Sequence, residues 1–249
     1  MIIRHSTVND IPILKSLWRE AFNDSDSFID NFLNCAYKEN CSLILESDNK
    51  IASMLYWFDC AFNEKPVAYI YAVATFNEFQ KKGLCNALME ALHKHLKALG
   101  YVGACLVPSN EHLFNFYGKM GYIKCIYNNE KEVIPEKGKV NFVKISAEEY
   151  INLRKNHLPK NCITQNDTEF LKLQLNFFKG QDFLFSAMKE KETLFVPEFW
   201  GNKNSQGNIV YCQNAKKGLF RTIGREKPFA MYLPFIETQL PEYLDFAYD

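Results

Sequence analysis

Two short stretches of this 249-residue chain carry residue types and spacings that could do chemistry. The first is QKKGLCN, residues 80–86. It lies between an apolar run that reads as a strand (KPVAYIYAVAT) and a helix whose Leu84, Leu88, Leu92 and Leu96 recur every four residues. The first turn of a helix has amide groups without intrahelical partners and the positive end of the helix dipole. A glycine there lets a bulky anion reach the backbone, and lysines add charge. Such a junction suits a phosphate or pyrophosphate. The plain alternative is a solvated turn that needs Gly83 to reverse the chain. Neither G-x-x-x-x-G-K-[ST] nor G-x-G-x-x-G occurs, so the P-loop and the dinucleotide fingerprint are excluded. The second stretch is SNEHLFNFYGKMGY, residues 109–122, with Asn110, Tyr117, Lys119 and Gly121 inside or beside a short helix pattern.

Elements must hold these residues in place. MIIRH reads as a strand. STVNDIPILKSLWREAF is an amphipathic helix with start signals at Asp10 and Pro12, and FIDNFLNCAY is a second helix. CSLILES, IASMLYWFDCAF and KPVAYIYAVAT read as three strands joined by SDNK and FNEK turns. YVGACLVP and YIKCIYN are further strands around the second motif. This order specifies a mixed α/β domain. The polar run 128–139 suggests a boundary, giving domains 1–136 and 137–249. VNFVKISAEEYINLRKNHL repeats the strand, turn and helix layout of the N-terminus, although any strand followed by an amphipathic helix would look alike. The tail continues with a helix over TEFLKLQLNFF, then strands at DFLFSAMK, TLFVPEFW, PFAMYLPF and YLDFAYD. Phe177, Phe178, Phe199 and Trp200 are read as core.

Composition narrows the function classes. Lys+Arg and Asp+Glu both number 29, so the balance favours neither nucleic acid nor an anionic membrane. Eight cysteines form no C-x-x-C and no zinc spacing, and several sit in apolar runs, as free buried thiols of a reducing compartment would. No metal is expected. The N-terminus lacks a signal-peptide apolar region, and the expected location is the cytoplasm.

Together the two motifs, in this order, resemble the GNAT superfamily of acyl-CoA-dependent N-acetyltransferases over roughly residues 1 to 130. Gln80, Gly83 and Cys85 stand in its Arg/Gln-x-x-Gly-x-Gly/Ala frame. Asn110, Tyr117, Lys119, Gly121 and Tyr122 match its second signature. Cys85 departs from the glycine or alanine the family prefers, which puts acetyl-CoA affinity in question. A redox role for this thiol at a helix N-terminus is a second option.

The resemblance implies the GNAT fold, a mixed sheet flanked by helices, with the second half a smaller, degenerate GNAT-like unit lacking its own loop. It implies acetyl-CoA as co-substrate, held by the backbone of Val73, Ala74 and Thr75 and by Gln80, Lys81, Lys82, Gly83, Leu84, Cys85, Asn86, Asn110 and Lys119. An amide near Val73 would polarise the thioester, and Tyr117 would protonate the leaving thiolate, as against a purely packing role. The reaction implied is direct acetyl transfer to a primary amine of a small molecule or peptide in a ternary complex. Asp59, Glu78, His112 and Glu20 qualify as bases by chemistry alone. In some tandem relatives the terminal carboxylate enters the site, which would involve Asp249. Expected partners are acetyl-CoA and an amine acceptor, with a homodimer as an option, and neither nucleic acid nor membrane. The rival readings are a non-catalytic acyl-CoA-binding or regulatory module and an interaction protein with an incidental Lys-Lys-Gly turn.

Overall fold

The computed structural model describes residues 1–165 and 175–245. The chain forms two compact units: Met1–Ile123, Ile163–Asp167 and Met231–Leu240 in the first; Lys124–Cys162, Thr168–Ala230 and Pro241–Asp249 in the second. The units interleave along the chain, so the boundary expected at residue 136 falls inside the second.

In the first unit, β1 (Ile2–Arg4), β2 (Ser42–Ser47), β3 (Lys50–Phe62) and β4 (Lys65–Thr75) pair antiparallel in that order. Asp48–Asn49 and Asn63–Glu64 make the tight turns, all four at positive φ, as two-residue hairpins require. β4 then pairs parallel with β5 (Gly103–Leu106), and β5 pairs antiparallel with Met231–Pro234, the end of β13 (Lys227–Pro234). A parallel neighbour needs a crossover, and α3 (Leu84–Ala98) supplies it. Its leucine stripe buries Leu88, Leu92 and Leu96 against Leu55, Trp57, Ala68 and Ile70 on one sheet face, where α4 (Glu111–Gly118) adds Phe114 and Tyr117. The opposite face takes α1 (Ile11–Phe22) and α2 (Asp26–Cys35). There Trp18 and Phe32 meet Tyr56, Phe58 and Tyr71 at ring-centroid distances of 5.1–6.2 Å, and Tyr69 lies beside Tyr71. β8 (Cys162–Gln165) extends β3 at Cys60–Phe62.

The second unit repeats this plan. β7 (Phe142–Ile145), β9 (Asn176–Gly180), β10 (Phe183–Glu190) and β11 (Thr193–Gly201) pair antiparallel in order. β11 pairs parallel with β12 (Lys217–Ile223) across α6 (Gln206–Cys212), and β12 pairs antiparallel with β6 (Ile123–Val133). The sequence of pairings is that of the first unit. β7 is followed by α5 (Ala147–Arg154), as β1 is by α1. One irregularity coincides as well. Ala72 and Val73 oppose one residue of β3, and Val196 and Pro197 oppose one residue of β10. The internal repeat suggested by β7 and α5 is therefore a property of the fold. The core of this unit gathers Phe183, Phe185, Val196, Phe199, Ile209, Val210 and Phe220.

Several elements differ from expectation. Residues 128–133, expected in a boundary, continue β6, because Asn128–Val133 pair with Gly218–Ile223. Of TEFLKLQLNFF, residues 168–174 lie outside the described residues, and Asn176–Phe178 are strand rather than helix, with Phe177 buried. Of YLDFAYD, residues 243–245 are described and contain the two-residue β14 (Tyr243–Leu244); residues 246–249, Asp249 among them, lie outside the described residues. β8, β12 and α6 have no counterpart in the sequence reading. Of the eight free cysteines, Cys35 and Cys212 are exposed and the others are buried or half-buried. Among the described residues no helix is long and apolar enough to cross a membrane.

Candidate active site

The site is built where β4 and β5 part. Their paired residues are Val67–Gly103, Ala68–Ala104 and Tyr69–Cys105, and no pair joins the two strands beyond these. β5 stops at Leu106, ahead of Pro108, which has no amide to continue a ladder. β4 runs on to Thr75, and at Ala72 its backbone takes φ +49°. That conformation is uncommon for a residue with a Cβ, and it re-aims the strand as a bulge does. The edge over Val73–Thr75 therefore faces no partner in β5. The Thr75 side chain is bonded to Ser53 at 2.7 Å between hydroxyl oxygens.

From Thr75 the chain turns through a short 3-10 segment, Asn77–Phe79, into the loop before α3. Gln80 braces that loop: its amide donates to Thr75 O at 3.2 Å and to Asn77 Oδ1 at 2.9 Å. Its backbone N–H is also taken, by Asn77 O. Lys81 and Gly83 adopt positive φ, 61° and 77°. Lys81 and Lys82 are exposed, the latter with Nζ 5.1 Å from the Phe79 ring. Gly83 is the N-cap of α3, and no side chain caps the helix there. The first α3 amide with a backbone acceptor outside the helix is Ala87 N–H, to Gly83 O. By contrast Ser25, Asn110 and Ser146 cap α2, α4 and α5. A Cβ on Gly83 would meet nothing within 4 Å. The fifteen-residue α3 thus presents uncapped amides to open space, an arrangement that fits an anionic diphosphate.

Cys85 and Tyr117 pack into the same cluster as α3 and β5. Burial pushes the Cys85 thiol up to about 11. Desolvation outweighs the helix terminus here, so the redox option loses its basis: the thiolate that reactivity needs is suppressed. Tyr117 is 7% exposed. Burial first, and the neighbouring Cys85 second, raise its hydroxyl above the ordinary tyrosine range. Among the described residues that hydroxyl makes no hydrogen bond, yet it is not one of the sealed, unpartnered polar atoms. A neutral phenol that keeps its proton and can reach a ligand is what a general acid requires. Asn110 uses its side chain to accept Leu113 N–H at 3.1 Å, fixing the start of the helix that carries Tyr117. Lys119 is exposed at the C-terminal end of α4.

The candidate bases scatter. Glu20 accepts Asn77 N–H at 2.7 Å, Asp59 accepts the Tyr101 hydroxyl, and Glu78 and His112 are exposed. The Ala72 bulge was not legible in the sequence, since alanine carries no turn signal. Asn110, expected to hold the donor, instead spends its side chain on capping α4, a role for which an Asn directly before a helical pattern is the signal.

The sequence profile of the acetyltransferase (GNAT) domain matches residues 2–125. Residues 2–125 belong to the GNAT acetyltransferase family. Among solved structures, a GCN5-related N-acetyltransferase from Anabaena variabilis superposes with a TM-score of 0.73 at 13% identity, covering 93% of this chain and 72% of that one. One from Kribbella flavida gives 0.69 at 11%, covering 93% and 70%. Eis1 from Mycobacterium abscessus gives 0.66 at 8%, covering 94% and 74%. These likenesses show the GNAT fold. No curated protein sequence matches the chain. Acetyl-CoA is the acyl donor of the GNAT family, and the chemistry that follows for this chain is acetyl transfer.

The second unit, which repeats the pairing order of the first, differs at the matching loop. After β11 a 3-10 turn, Lys203–Ser205, leads straight into α6 at Gln206. Nothing there corresponds to Gln80–Gly83. Glu198, opposite Ser186, holds the strand position that Ala74 holds opposite Met54. It is locked by Arg154 at 2.9 Å, Tyr243 at 2.9 Å and Tyr150 at 3.1 Å, and Arg154 also holds Asp245 at 2.6 Å.

Proposed function

We propose that this chain transfers acetyl from acetyl-CoA to a primary amine of a small molecule or peptide, by direct attack with donor and acceptor bound together. The observation that carries this reading is the open edge of β4 at Val73–Thr75, leading directly into the uncapped N-terminus of α3. When bound, acetyl-CoA supplies the activated acetyl group. The backbone amides of Lys81–Asn86 hold its diphosphate, with Lys81 and Lys82 adding charge and Gln80 keeping the loop in shape. The edge of Val73, Ala74 and Thr75 takes the amide-bearing arm, and the amide at Val73 polarises the carbonyl. Lys119 lends a cation at the α4 end, and Asn110 positions α4. The amine gives its surplus proton to solvent. Its nitrogen then forms the C–N bond as C–S breaks and gives a second proton to water, while the departing sulfur takes its proton from Tyr117, which is reprotonated from solvent, so that the proton lost by nitrogen balances the one gained by sulfur. Cys85 adds one heavy atom to alanine at the loop, so binding persists with reduced affinity.

We read the second unit as a GNAT-like half that no longer binds acetyl-CoA, because its loop is missing and Glu198 fills the matching place. The cytoplasm is the location we assign, and an assembly of two copies is compatible with this chemistry. The test is CoA release from acetyl-CoA across a panel of amines, with Tyr117→Phe alongside. Amine-dependent release that collapses in the variant supports the enzyme. Tight acetyl-CoA binding with no amine-dependent release favours a non-catalytic binding module instead.

A further inference from the structure

Resting on the acetyl-transfer reading, we propose that the acceptor is a primary amine on an apolar, ring-bearing skeleton, bound as its ammonium against Tyr71 on the α1–α2 face of the sheet. Side chains along β4 alternate between faces. Ala68 and Ile70 point to α3, whose N-terminus receives the donor's diphosphate, whereas Tyr69 and Tyr71 point to α1 and α2. A donor lying in the gap between β4 and β5 from the α3 side leaves the opposite face for the amine.

That face is aromatic where it meets the gap. Tyr71 immediately precedes the Ala72 bulge and lies two residues from Val73, about 7 Å along a strand. Tyr71 is half-buried. Its ring is held against Trp18 at 5.9 Å, Phe32 at 5.8 Å and Phe58 at 5.6 Å, so its orientation is set before a ligand arrives. Phe22, 41% exposed, continues the wall beyond Trp18 at 5.7 Å.

The charge beside it is negative. Residues 11–35 contain two cations, Lys15 and Arg19, and four acids. Lys15 pairs with Asp30 and Arg19 with Asp26. Glu20 and Asp24 have no cationic partner among the described residues. Glu20 is fastened to Asn77 at the end of β4, and Asp24 accepts the Trp18 indole N–H at 2.8 Å. Aromatic faces with uncompensated carboxylates select a cation, and the apolar wall selects what carries it. A polyhydroxylated acceptor would leave its polar groups unmatched here.

The experiment compares kcat/KM for 2-phenylethylamine and ethanolamine in the full chain, in Tyr71→Ala and in Tyr71→Phe, with acetyl-CoA titrated calorimetrically into each. The expected result is a preference for 2-phenylethylamine of about tenfold or more, the scale apolar pockets give. Tyr71→Ala should remove it through KM, Tyr71→Phe should keep it, and acetyl-CoA affinity should stay constant. If Tyr71→Ala does not fold, the wild-type preference and a several-fold rise in amine KM in Glu20→Gln still decide. Equal use of both amines, or equal losses for both in Tyr71→Ala with acetyl-CoA binding intact, overturns this proposal alone. No CoA release with these two amines but release with others of the panel overturns this proposal alone; no release with any amine of the panel, despite acetyl-CoA binding, overturns the acetyl-transfer reading and this proposal with it.

Discussion

Replacing Tyr117 by phenylalanine removes one oxygen atom and leaves a ring that is 7% exposed in its place. The lost hydroxyl has no hydrogen-bond partner among the described residues. Stability should therefore move by less than about 1 kcal/mol, since no buried bond is broken. Catalysis should respond far more. A general acid contributes about 10²- to 10⁴-fold, or about 2.7–5.4 kcal/mol at 1.36 kcal/mol per decade. We expect kcat to fall at least about 100-fold, with the Kd for acetyl-CoA changed less than about threefold. The pH profile gives a second reading. Burial and the nearby Cys85 raise Tyr117 above its usual range, so the acid form persists past the pH of about 10 at which a free tyrosine ionises. The wild-type rate should show no decline from this group up to that pH. The matching stability contribution is complete below about pH 10 and is lost as the pH climbs toward the folded value, because only the unfolded chain releases the proton there. The assay is thiol-dye detection of CoA release at saturating acetyl-CoA, beside urea unfolding of both proteins. A variant that folds normally yet keeps kcat within about threefold of wild type would refute the assignment of Tyr117 as the acid.

Other perturbations follow from the same structure. Arg154→Leu strands Glu198 and Asp245 as buried carboxylates and should cost about 3–5 kcal/mol in urea unfolding. Because burial lifts the Cys85 thiol to about 11, iodoacetamide at about pH 8 should label the exposed Cys35 and Cys212 first, as peptide mass mapping would show. His93, bonded to the Tyr122 hydroxyl at 2.8 Å, is held down to about 4 by burial and then by Lys97. Its folded value lies below the unfolded one, so stability should fall as pH drops from about 6.5 toward 4. His93→Gln should flatten that part of the curve.

Much of the first unit could be read from residues alone, because its signals are local. The leucine stripe of α3, the Asp48–Asn49 and Asn63–Glu64 turns and the Asn110 cap are each decided within a few positions. What escaped depends on distant partners. Asn128–Val133 look like a linker, since half of them are charged and exposed, yet β12 makes them a strand. The Ala72 bulge is imposed by register against β3, not by alanine. The raised thiol of Cys85 comes from the cluster around it, whereas the helix terminus visible in the sequence argues the opposite way. Half of the repeat was visible in β7 and α5. The rest needed the pairing order, because β12 and α6 carry no motif.

The central claim is that one loop in one unit makes the donor site. Calorimetric titration of acetyl-CoA into the full chain tests it most directly. Binding at one molecule per chain, weakened in Gly83→Val, is the predicted result, since α3 begins at an uncapped glycine facing open space, whereas the first amide of α6 is already taken by Lys203 O. Absence of binding, or two equivalent sites per chain, would contradict the account.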